Sequence, residues 1–443
     1  MKNTFEQQIY EIFGTTDPKE LRKLSKDAKQ YQQLAKKEAL RHAAGRKPAF
    51  SLPQIIQMAA MQQQGKSIAE IARTFQVSRQ TVYNQIARAH CFSTDPDVKT
   101  RMCFLYRDQL CTTIDIDFRH EKIAIQNYTK KIPLRAFGVV EHPSWDDFTW
   151  FLESRCFPKT RDHAKDILKE MGLPFYDPLL IIEKTDHTSK GDQLKWKIGN
   201  IWYKSDYMGY EGLSETLVSH LLQKSTLSHP FVLYQPVRIA YRGTLRSGCS
   251  SPDFLKANQM LIPLEKLYRQ NTGDSLAITL AAFSEPAERI RFLADQMEHI
   301  TGIQNFGAYL TAMLEIDAFF LNEDRHTNNI AVLYDTETEQ YSPSPLFDQG
   351  LCLFADISND YPLDLPMDVC IERIEAKPFS SDFDTQLDAA EELYGIQLHF
   401  SFTAKDVCTE LDSLADYYPL EIRQRVEQII RRQMRKYGYL MRS

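Results

Sequence analysis

The spacing of apolar residues divides this chain of 443 residues into segments with different periods. Over residues 1–44, apolar side chains recur at helical spacing and predict a helical N-terminal extension, with a helix at 19–40. Three short helices are predicted within residues 45–92. Over residues 93–140 the period falls toward two, which predicts a linker followed by a small β-meander.

The rest of the chain predicts a β-rich part followed by a helical part. Residues 141–265 mix helical spacing, clearest over 145–171, with extended stretches such as the apolar run at 179–183. From residue 266 to residue 443, helices dominate. A small β-rich lobe before a larger helical lobe, preceded by a separate helical segment, indicates a multidomain α+β protein.

Composition places the chain among ordinary globular proteins, because 43% of the residues are hydrophobic and 25% are charged. The start of the sequence has no apolar segment typical of a signal peptide, and no apolar run approaches the length of a membrane span. The eight cysteines are scattered and form no CxxC pair. We therefore expect a reduced, cytoplasmic protein with no membrane partner and no disulfide framework.

The net charge of −6 conceals an asymmetry between the two ends of the chain. Residues 1–92 carry 15 Lys and Arg against 7 Asp and Glu, a balance of +8. Residues 93–443 carry 38 basic against 52 acidic side chains, a balance of −14. A short basic segment before an acidic body suggests a nucleic-acid-binding module joined to a part with another function.

The basic segment contains the pattern of two helices packed across a short turn. Ser67 is placed to cap the first helix and Ser78 to cap the second. The second helix exposes donors and acceptors that suit base edges and phosphates. The candidate DNA-binding residues are Arg46, Lys47, Ser78, Arg79, Gln80, Thr81, Tyr83 and Asn84.

Residues 45–48, 67–73 and 77–83 together resemble the helix-turn-helix of resolvase- and recombinase-type DNA-binding proteins. The resemblance implies a three-helix domain over 45–92 that binds double-stranded DNA, with the Gly-Arg arm in the minor groove. Gln76 stands in the turn where that family usually has glycine. The alternative interpretation is a three-helix protein-interaction module with a polar surface helix.

The strongest chemical pattern is an Asp-x-x-x-x-Asn stretch, Asp324 to Asn329, before a predicted hairpin that ends at Asp348. Because a hairpin returns its last residue beside its first, we expect Asp348 to lie near the other two. Phosphoryl transfer uses such a set: one carboxylate orients the acceptor hydroxyl, while an amide and a second carboxylate hold Mg²⁺. We interpret His326 as a residue that shapes the loop. Asp317 is either a hydrogen-bond partner of the loop or a capped polar residue.

A lysine and a glutamate upstream complete the requirements of a kinase. Lys204 ends a predicted strand, and Glu215 begins the next helix, with Glu211 as the alternative partner. Lys204 would contact the α- and β-phosphates of ATP, and Glu215 would hold it in place. A polar loop before the strand is the candidate phosphate loop, with the candidate nucleotide-binding residues Thr188, Ser189, Lys190 and Gln193.

With these parts in order, residues 175–440 resemble the HipA-like serine/threonine kinases, in the branch that contains the CtkA proteins. The resemblance implies a bilobal protein-kinase-like fold with an N-lobe at 141–265 and a helical C-lobe at 266–443. Its implied site roles are Asp324 as catalytic base, Lys204 as the ATP lysine, and Asn329 and Asp348 as Mg²⁺ ligands.

The sequence therefore predicts an ATP- and Mg²⁺-dependent serine/threonine protein kinase fused to a DNA-binding helix-turn-helix. The phosphorylated protein would be a separate substrate or the chain itself, with Thr188 and Ser189 as candidate autophosphorylation sites. Two alternatives remain at this point: a transcriptional regulator whose kinase fold senses nucleotide, and a small-molecule phosphotransferase. The helix at 19–40 is a candidate surface for a homodimer.

Overall fold

A computed structural model describes residues 17–19, 50, 52–89, 100–157, 159, 164–184 and 193–442. The chain divides into two compact units, Met1–Phe92 and Ser93–Ser443. No helix among the described residues is both long enough and apolar enough to cross a membrane. The seven cysteines in this part of the chain are all free thiols.

Over residues 52–89 the first unit forms three helices: α1 (Leu52–Gln63), α2 (Ile68–Thr74) and α3 (Arg79–Ala89). Their apolar faces meet in one small core, with the buried side chains Met58, Ala59, Met61, Ile71, Ala72, Val82 and Ile86. Helix α2 begins with a capping box, in which the Ser67 hydroxyl accepts from the backbone N–H of Glu70 and the Glu70 carboxylate accepts from that of Ser67.

The second unit opens with an antiparallel sheet of three strands in the order β1 (Thr100–Tyr106), β2 (Gln109–Asp117) and β3 (Lys122–Asn127). One face of this predicted meander is covered by α4 (Trp145–Glu153). Ile114 and Ile116 from the sheet pack there with aromatic side chains of the helix. Along β3, half-buried and exposed positions alternate, which accounts for the period of two in that part of the sequence.

The apolar run at 179–183 is helical, so the prediction of an extended stretch there is wrong. It lies in α6 (Pro178–Lys184), which follows α5 (Ala164–Glu170). The Asp177 carboxylate accepts from the backbone N–H groups of Leu179 and Leu180 and so starts the helix. A short apolar run has no distinguishing period, and the Asp-Pro pair before it was the informative signal.

A four-stranded antiparallel sheet in the order β4-β5-β7-β6 follows. Its strands are β4 (Lys195–Ile198), β5 (Ile201–Ser205), β6 (Gln235–Tyr241) and β7 (Thr244–Pro252). Between β5 and β6 runs the buried helix α7 (Glu211–Leu222), which packs against β7. The strand that carries Lys204 and the helix that carries Glu215 therefore share β7 as a neighbour.

The helical lobe surrounds a third sheet in the order β10-β9-β8, made of β8 (Gln259–Pro263), β9 (Ala331–Asp335) and β10 (Tyr341–Pro343). The remaining helices are α8 (Leu264–Thr272), α9 (Leu276–Ala281), α10 (Pro286–Thr301), α11 (Phe306–Phe320), α12 (Met367–Arg373), α13 (Phe383–Tyr394), α14 (Ala404–Ser413) and α15 (Leu420–Lys436). Helix α11 is apolar on nearly all sides and packs against α10, α13 and α15. It forms the centre of the lobe, and the candidate site begins at its C-terminal end.

Two glycines allow α7 to approach the four-stranded sheet closely. A Cβ at Gly248 on β7 would lie 2.1 Å from the carbonyl oxygen of Lys204, and a Cβ at Gly212 on α7 would lie 2.5 Å from the backbone of Gly248. Backbone atoms cannot move aside as a flexible side chain can. The positions of Lys204 and Glu215 therefore depend on the absence of side chains at these two residues.

We expect Gly248→Ala to destabilise the second unit by roughly 2 kcal/mol or more, because the added methyl group overlaps the backbone carbonyl of Lys204. Gly438→Ala is the matched control, since a Cβ there meets no atom within 4 Å. Urea denaturation followed by circular dichroism measures the difference. Equal denaturation midpoints for the two variants would contradict the expectation.

Candidate active site

The loop that carries Asp324 starts where α11 ends. Leu321 takes a left-handed conformation with a φ of 57° and stops the helix. The backbone N–H of the next residue, Asn322, donates to the carbonyl of Asp317. A left-handed conformation is unfavourable for leucine, and such residues cluster at functional sites. The helix therefore ends immediately before the polar residues of the loop.

A buried ion pair organises this loop. Arg325 is 1% exposed and donates to both carboxylate oxygens of Asp317, at 2.7 and 2.9 Å. Its remaining Nη1 donates to the carbonyl oxygens of Asn329 and Phe347, each at 3.0 Å. One guanidinium thus joins α11, the loop and the end of the hairpin. Asp317 is a hydrogen-bond partner of the loop, which was one of the two interpretations left open.

The two polar ends of the loop contact each other. Asn329 Nδ2 donates to the carbonyl oxygen of Asp324 at 2.9 Å and to its carboxylate Oδ2 at 3.1 Å. The backbone N–H of Asp324 donates to Asn322 Oδ1, and Asn322 Nδ2 donates to Asp317 Oδ1. These bonds fix the Asp324 side chain through its Oδ2 oxygen. They leave Oδ1 without a hydrogen bond among the described residues.

Lys204 lies between two carboxylates. Its Nζ donates to Glu215 Oε1 and, at 3.1 Å, to Asp348 Oδ1. The other oxygen of Glu215 accepts from the backbone N–H of Gln349 at 2.9 Å. Lys204 also faces the ring of Tyr234, with Nζ 5.1 Å from the ring centroid. The strand, the helix and the far end of the hairpin therefore meet at one ammonium group.

These contacts determine which groups carry charge. Burial would lower the pKa of Lys204, but the carboxylates of Asp348 and Glu215 outweigh it and hold this pKa well above the ordinary value. Burial would raise the pKa of Asp348, and the Lys204 charge instead holds it well below its usual range. For Asp324, burial raises the pKa, His326 and Lys377 oppose the rise, and Asp348 adds to it.

Glu211 has a structural role different from that of Glu215. Its carboxylate accepts from the backbone N–H groups of residues 207–209 at the start of α7. Asp206 beside it accepts from the Tyr418 hydroxyl at 2.8 Å, and burial together with the Glu211 charge raises the pKa of Asp206 to about 8. Ser247 on β7 donates to the carbonyl of Tyr417 at 2.7 Å. These bonds attach the four-stranded sheet to the segment before α15.

An apolar cluster lies beside Lys204, around Cys249 of the neighbouring strand β7. Cys249 is the register partner of Lys204, and it packs with Val232 and Tyr234. Phe254 and Phe347 pack against this cluster with their rings stacked and their centroids 6.2 Å apart. An apolar, aromatic surface beside a fixed ammonium group can hold a flat ring attached to phosphates.

The donor set near Asp348 fits a Mg²⁺ ion. The amide nitrogen of Asn329 is occupied by Asp324, which leaves Asn329 Oδ1 available. Asp348 uses one carboxylate oxygen for Lys204, and its other oxygen accepts no hydrogen bond from the residues that the structure describes. Oxygen donors of this kind are the ligands that Mg²⁺ prefers.

The structure brings together Lys204, Glu215, Asp324, Asn329 and Asp348. The candidate phosphate-loop residues Thr188, Ser189 and Lys190 lie outside the described residues, and Gln193 is half-buried just before β4. His326 stands beside Asp324, with Nε2 3.8 Å from Asp324 Oδ1.

In the first unit, Arg46 and Lys47 also lie outside the described residues. The Ser78 hydroxyl accepts from the backbone N–H of Thr81 at 3.1 Å, as expected of a cap for α3. Gln76, at the position where glycine is usual, takes a φ of 54° in the turn. Over residues 79–86 of α3, Arg79, Gln80, Tyr83 and Asn84 are exposed, and Thr81 is half-buried.

Sequence reasoning did not assign roles to Asn322, Arg325, Gln349 or Lys377. Arg325 and Asn322 lie inside the predicted motif, so their polar character at the end of an apolar helix was a usable signal. Lys377 lies 53 positions after Asp324 in the chain, yet its Nζ is 3.9 Å from Asp324 Oδ1. No local pattern marks such a residue.

Comparison with known proteins identifies the first unit. Residues 45–86 match the helix-turn-helix domain of resolvase, which confirms the helix-turn-helix prediction. None of the curated proteins matches the chain.

Solved structures that are similar to this chain include a HipA complex and the kinase CtkA. The toxin–antitoxin complex of HipA, HipB and operator DNA from Shewanella oneidensis MR-1 matches with 13% identity and a TM-score of 0.44, over 77% of this chain and 97% of that chain. The proinflammatory kinase CtkA from Helicobacter pylori matches with 15% identity and a TM-score of 0.40, over 57% of this chain and 90% of that chain.

We expect Arg325→Met to lower the free energy of unfolding of the second unit by about 3–5 kcal/mol, because it leaves the Asp317 carboxylate buried without its partner. Arg432→Met is the control, since the Arg432–Asp368 pair is exposed and contributes about 1 kcal/mol or less. The double variant Asp317→Leu, Arg325→Met should regain part of the loss. Urea denaturation tests this, and equal midpoints for the two single variants would refute it.

Proposed function

We propose that the unit Ser93–Ser443 is an ATP-dependent kinase that transfers the γ-phosphoryl group to a serine or threonine hydroxyl. The observation that carries this proposal is the meeting of Lys204 with Glu215 and Asp348, beside the Asp324–Asn329 pair. These five residues come from a strand, a helix, a loop and the end of a hairpin. Phosphoryl transfer requires the same set of groups.

The nucleotide would lie between the apolar cluster and Lys204. The adenine ring suits the aromatic surface of Tyr234, Phe254 and Phe347, and the Lys204 ammonium suits the α- and β-phosphates. Glu215 keeps Lys204 in position, since it is 1% exposed and anchored by the backbone of Gln349. A lysine fixed in this way adds charge without having to reorganise during the reaction.

Asp324 is the proposed catalytic base. The acceptor oxygen forms a bond to the γ-phosphorus while the bond to the β,γ-bridging oxygen breaks, and the electron pair leaves on ADP. The hydroxyl proton passes to Asp324, whose raised pKa makes it a better proton acceptor than an ordinary aspartate. Asn329 and Asp348 would hold Mg²⁺, which when bound neutralises charge on the phosphates. Positioning of the reactants supplies much of the rate.

Asp324→Asn should reduce phosphoryl transfer by roughly 10²- to 10⁴-fold while leaving nucleotide binding nearly unchanged, because the amide cannot accept the proton. Asp412→Asn, an exposed residue of α14, is the control. Transfer of ³²P from γ-labelled ATP to the chain itself and to myelin basic protein measures the effect. Calorimetric titration with a non-hydrolysable ATP analogue measures binding.

The outcomes of this experiment distinguish the alternatives. Binding of nucleotide without any Asp324-dependent transfer would instead support a regulator that senses nucleotide. Transfer to small hydroxyl compounds but to no protein would support a small-molecule phosphotransferase. Mapping of the phosphorylated residues tests whether Thr188 or Ser189 is modified.

We further propose that the first unit binds double-stranded DNA through α3. Its support is the resolvase-type helix-turn-helix at residues 45–86 and the exposed polar face of α3. The basic balance of residues 1–92 favours phosphate contacts. Arg79 and Gln80 lie in the first turn of α3, where the helix N-terminus also attracts phosphate.

Arg79→Ala in the full chain should weaken DNA binding and reduce the slope of log affinity against log salt by about 1, because one phosphate contact is lost. Lys405→Ala removes one exposed charge from the second unit and is the control. Fluorescence anisotropy with duplex DNA at several salt concentrations gives both quantities. Binding that does not depend on salt, or no binding at all, would favour the protein-interaction module.

A further inference from the structure

The two carboxylate oxygens of Asp324 have different neighbours. Oδ2 accepts from Asn329 on the side of the proposed metal ligands. Oδ1 faces two nitrogen atoms that lie beyond hydrogen-bond distance, His326 Nε2 at 3.8 Å and Lys377 Nζ at 3.9 Å. Oδ1 is therefore the oxygen that is available to an acceptor hydroxyl, and Lys377 flanks the path by which such a hydroxyl would arrive.

A cavity of about 280 Å³ opens on the same side of Asp324. Its lining comes from Glu323, from residues 359–361, and from Arg373, Glu375 and Lys377. None of the residues that face the proposed nucleotide takes part in this lining. The volume suits a side chain of a polypeptide and is below the range typical of drug-sized ligands. The cavity therefore belongs to the acceptor side of the site.

Lys377 connects this cavity to Asp324. It lines the cavity, and its charge acts on both Glu323 and Asp324. Within the cavity, Glu323 Oε2 accepts from the Tyr361 hydroxyl at 2.6 Å, so one wall is fixed by a hydrogen bond between the loop and the segment that follows the hairpin.

The segment that carries Lys377 is firmly anchored although it is neither helix nor strand. Ala376 and Phe379, on either side of Lys377, are buried. The fully buried Gln386 of α13 donates to the carbonyl of Lys377 at 3.3 Å and accepts from the backbone N–H of Phe379 at 3.3 Å. Arg289 of α10 donates to the carbonyl of Phe379 at 2.8 Å. The backbone from which the Lys377 side chain extends is thus firmly supported, as a positioning residue requires.

We propose that this cavity is the subsite for a polypeptide acceptor and that Lys377 is the positioning residue that aligns the acceptor hydroxyl with Asp324 Oδ1. This inference rests on the proposed kinase function. The Lys377 ammonium, between the cavity and Asp324, also stabilises the acceptor oxygen, which gains negative charge as its proton leaves. Lys377 acts on the acceptor and has no part in holding the nucleotide.

The test uses the full chain with Mg²⁺ and ATP, and myelin basic protein as the acceptor probe. Lys377→Met removes the charge, and Lys377→Arg keeps it. Lys436→Met is the control, since Lys436 of α15 pairs with Asp384 and does not line the cavity. The measurements are kcat and KM for the acceptor, the KM for ATP, and the dissociation constant of a non-hydrolysable ATP analogue. Thermal unfolding checks that the half-exposed Lys377 is not needed for folding.

We expect Lys377→Met to lower kcat/KM for the acceptor by roughly 10- to 100-fold, with ATP parameters within about twofold of wild type. Lys377→Arg should recover most of the loss, and Lys436→Met should behave as wild type. Unchanged transfer by Lys377→Met, a parallel loss of nucleotide affinity, or no recovery by arginine would each overturn the inference. Absence of Asp324-dependent transfer in the wild type is a different result, and it would overturn the proposed function as well.

Discussion

A guanidinium group that is almost completely removed from water holds the candidate active site together. Arg325 would carry a large desolvation cost if it were alone, and Asp317 compensates that cost with two hydrogen bonds. Its remaining donor reaches the carbonyls of Asn329 and Phe347. Because these two residues precede β9 and Asp348, respectively, the ion pair fixes the distance between the two proposed metal ligands. The other features of the site depend on that distance.

The second constraint is the close packing of α7 on the four-stranded sheet. Gly212 and Gly248 allow the helix to approach the strand, and the approach brings Glu215 to Lys204. The carboxylates of Glu215 and Asp348 then hold Lys204 charged despite its burial. The Arg325–Asp317 ion pair positions Asp348, and the close packing of α7 positions Glu215. Together they determine the charge of the Lys204 ammonium group.

The sequence predicted those parts of the site that depend on the spacing of residues along the chain. The period of the strands, the hairpin after Asn329 and the order of the charged residues indicated which side chains would meet. The partners supplied by tertiary packing were not accessible in this way. Lys377 reaches Asp324 only because Gln386 and Arg289 anchor its segment. The helix at Pro178–Lys184 was missed because a short apolar run has the same appearance in a strand and in a helix.

The attachment of the sheet to the segment before α15 bears on how the proposed nucleotide cleft could change shape. The Tyr418 hydroxyl donates to Asp206, directly after β5, and Ser247 on β7 donates to the carbonyl of Tyr417. These bonds oppose separation of the sheet from the segment before α15. Asp206 follows Lys204 by two residues, so the attachment lies next to the lysine. If the proposed cleft opens by rotation about this attachment, Lys204 would move less than the parts of the sheet farther from it.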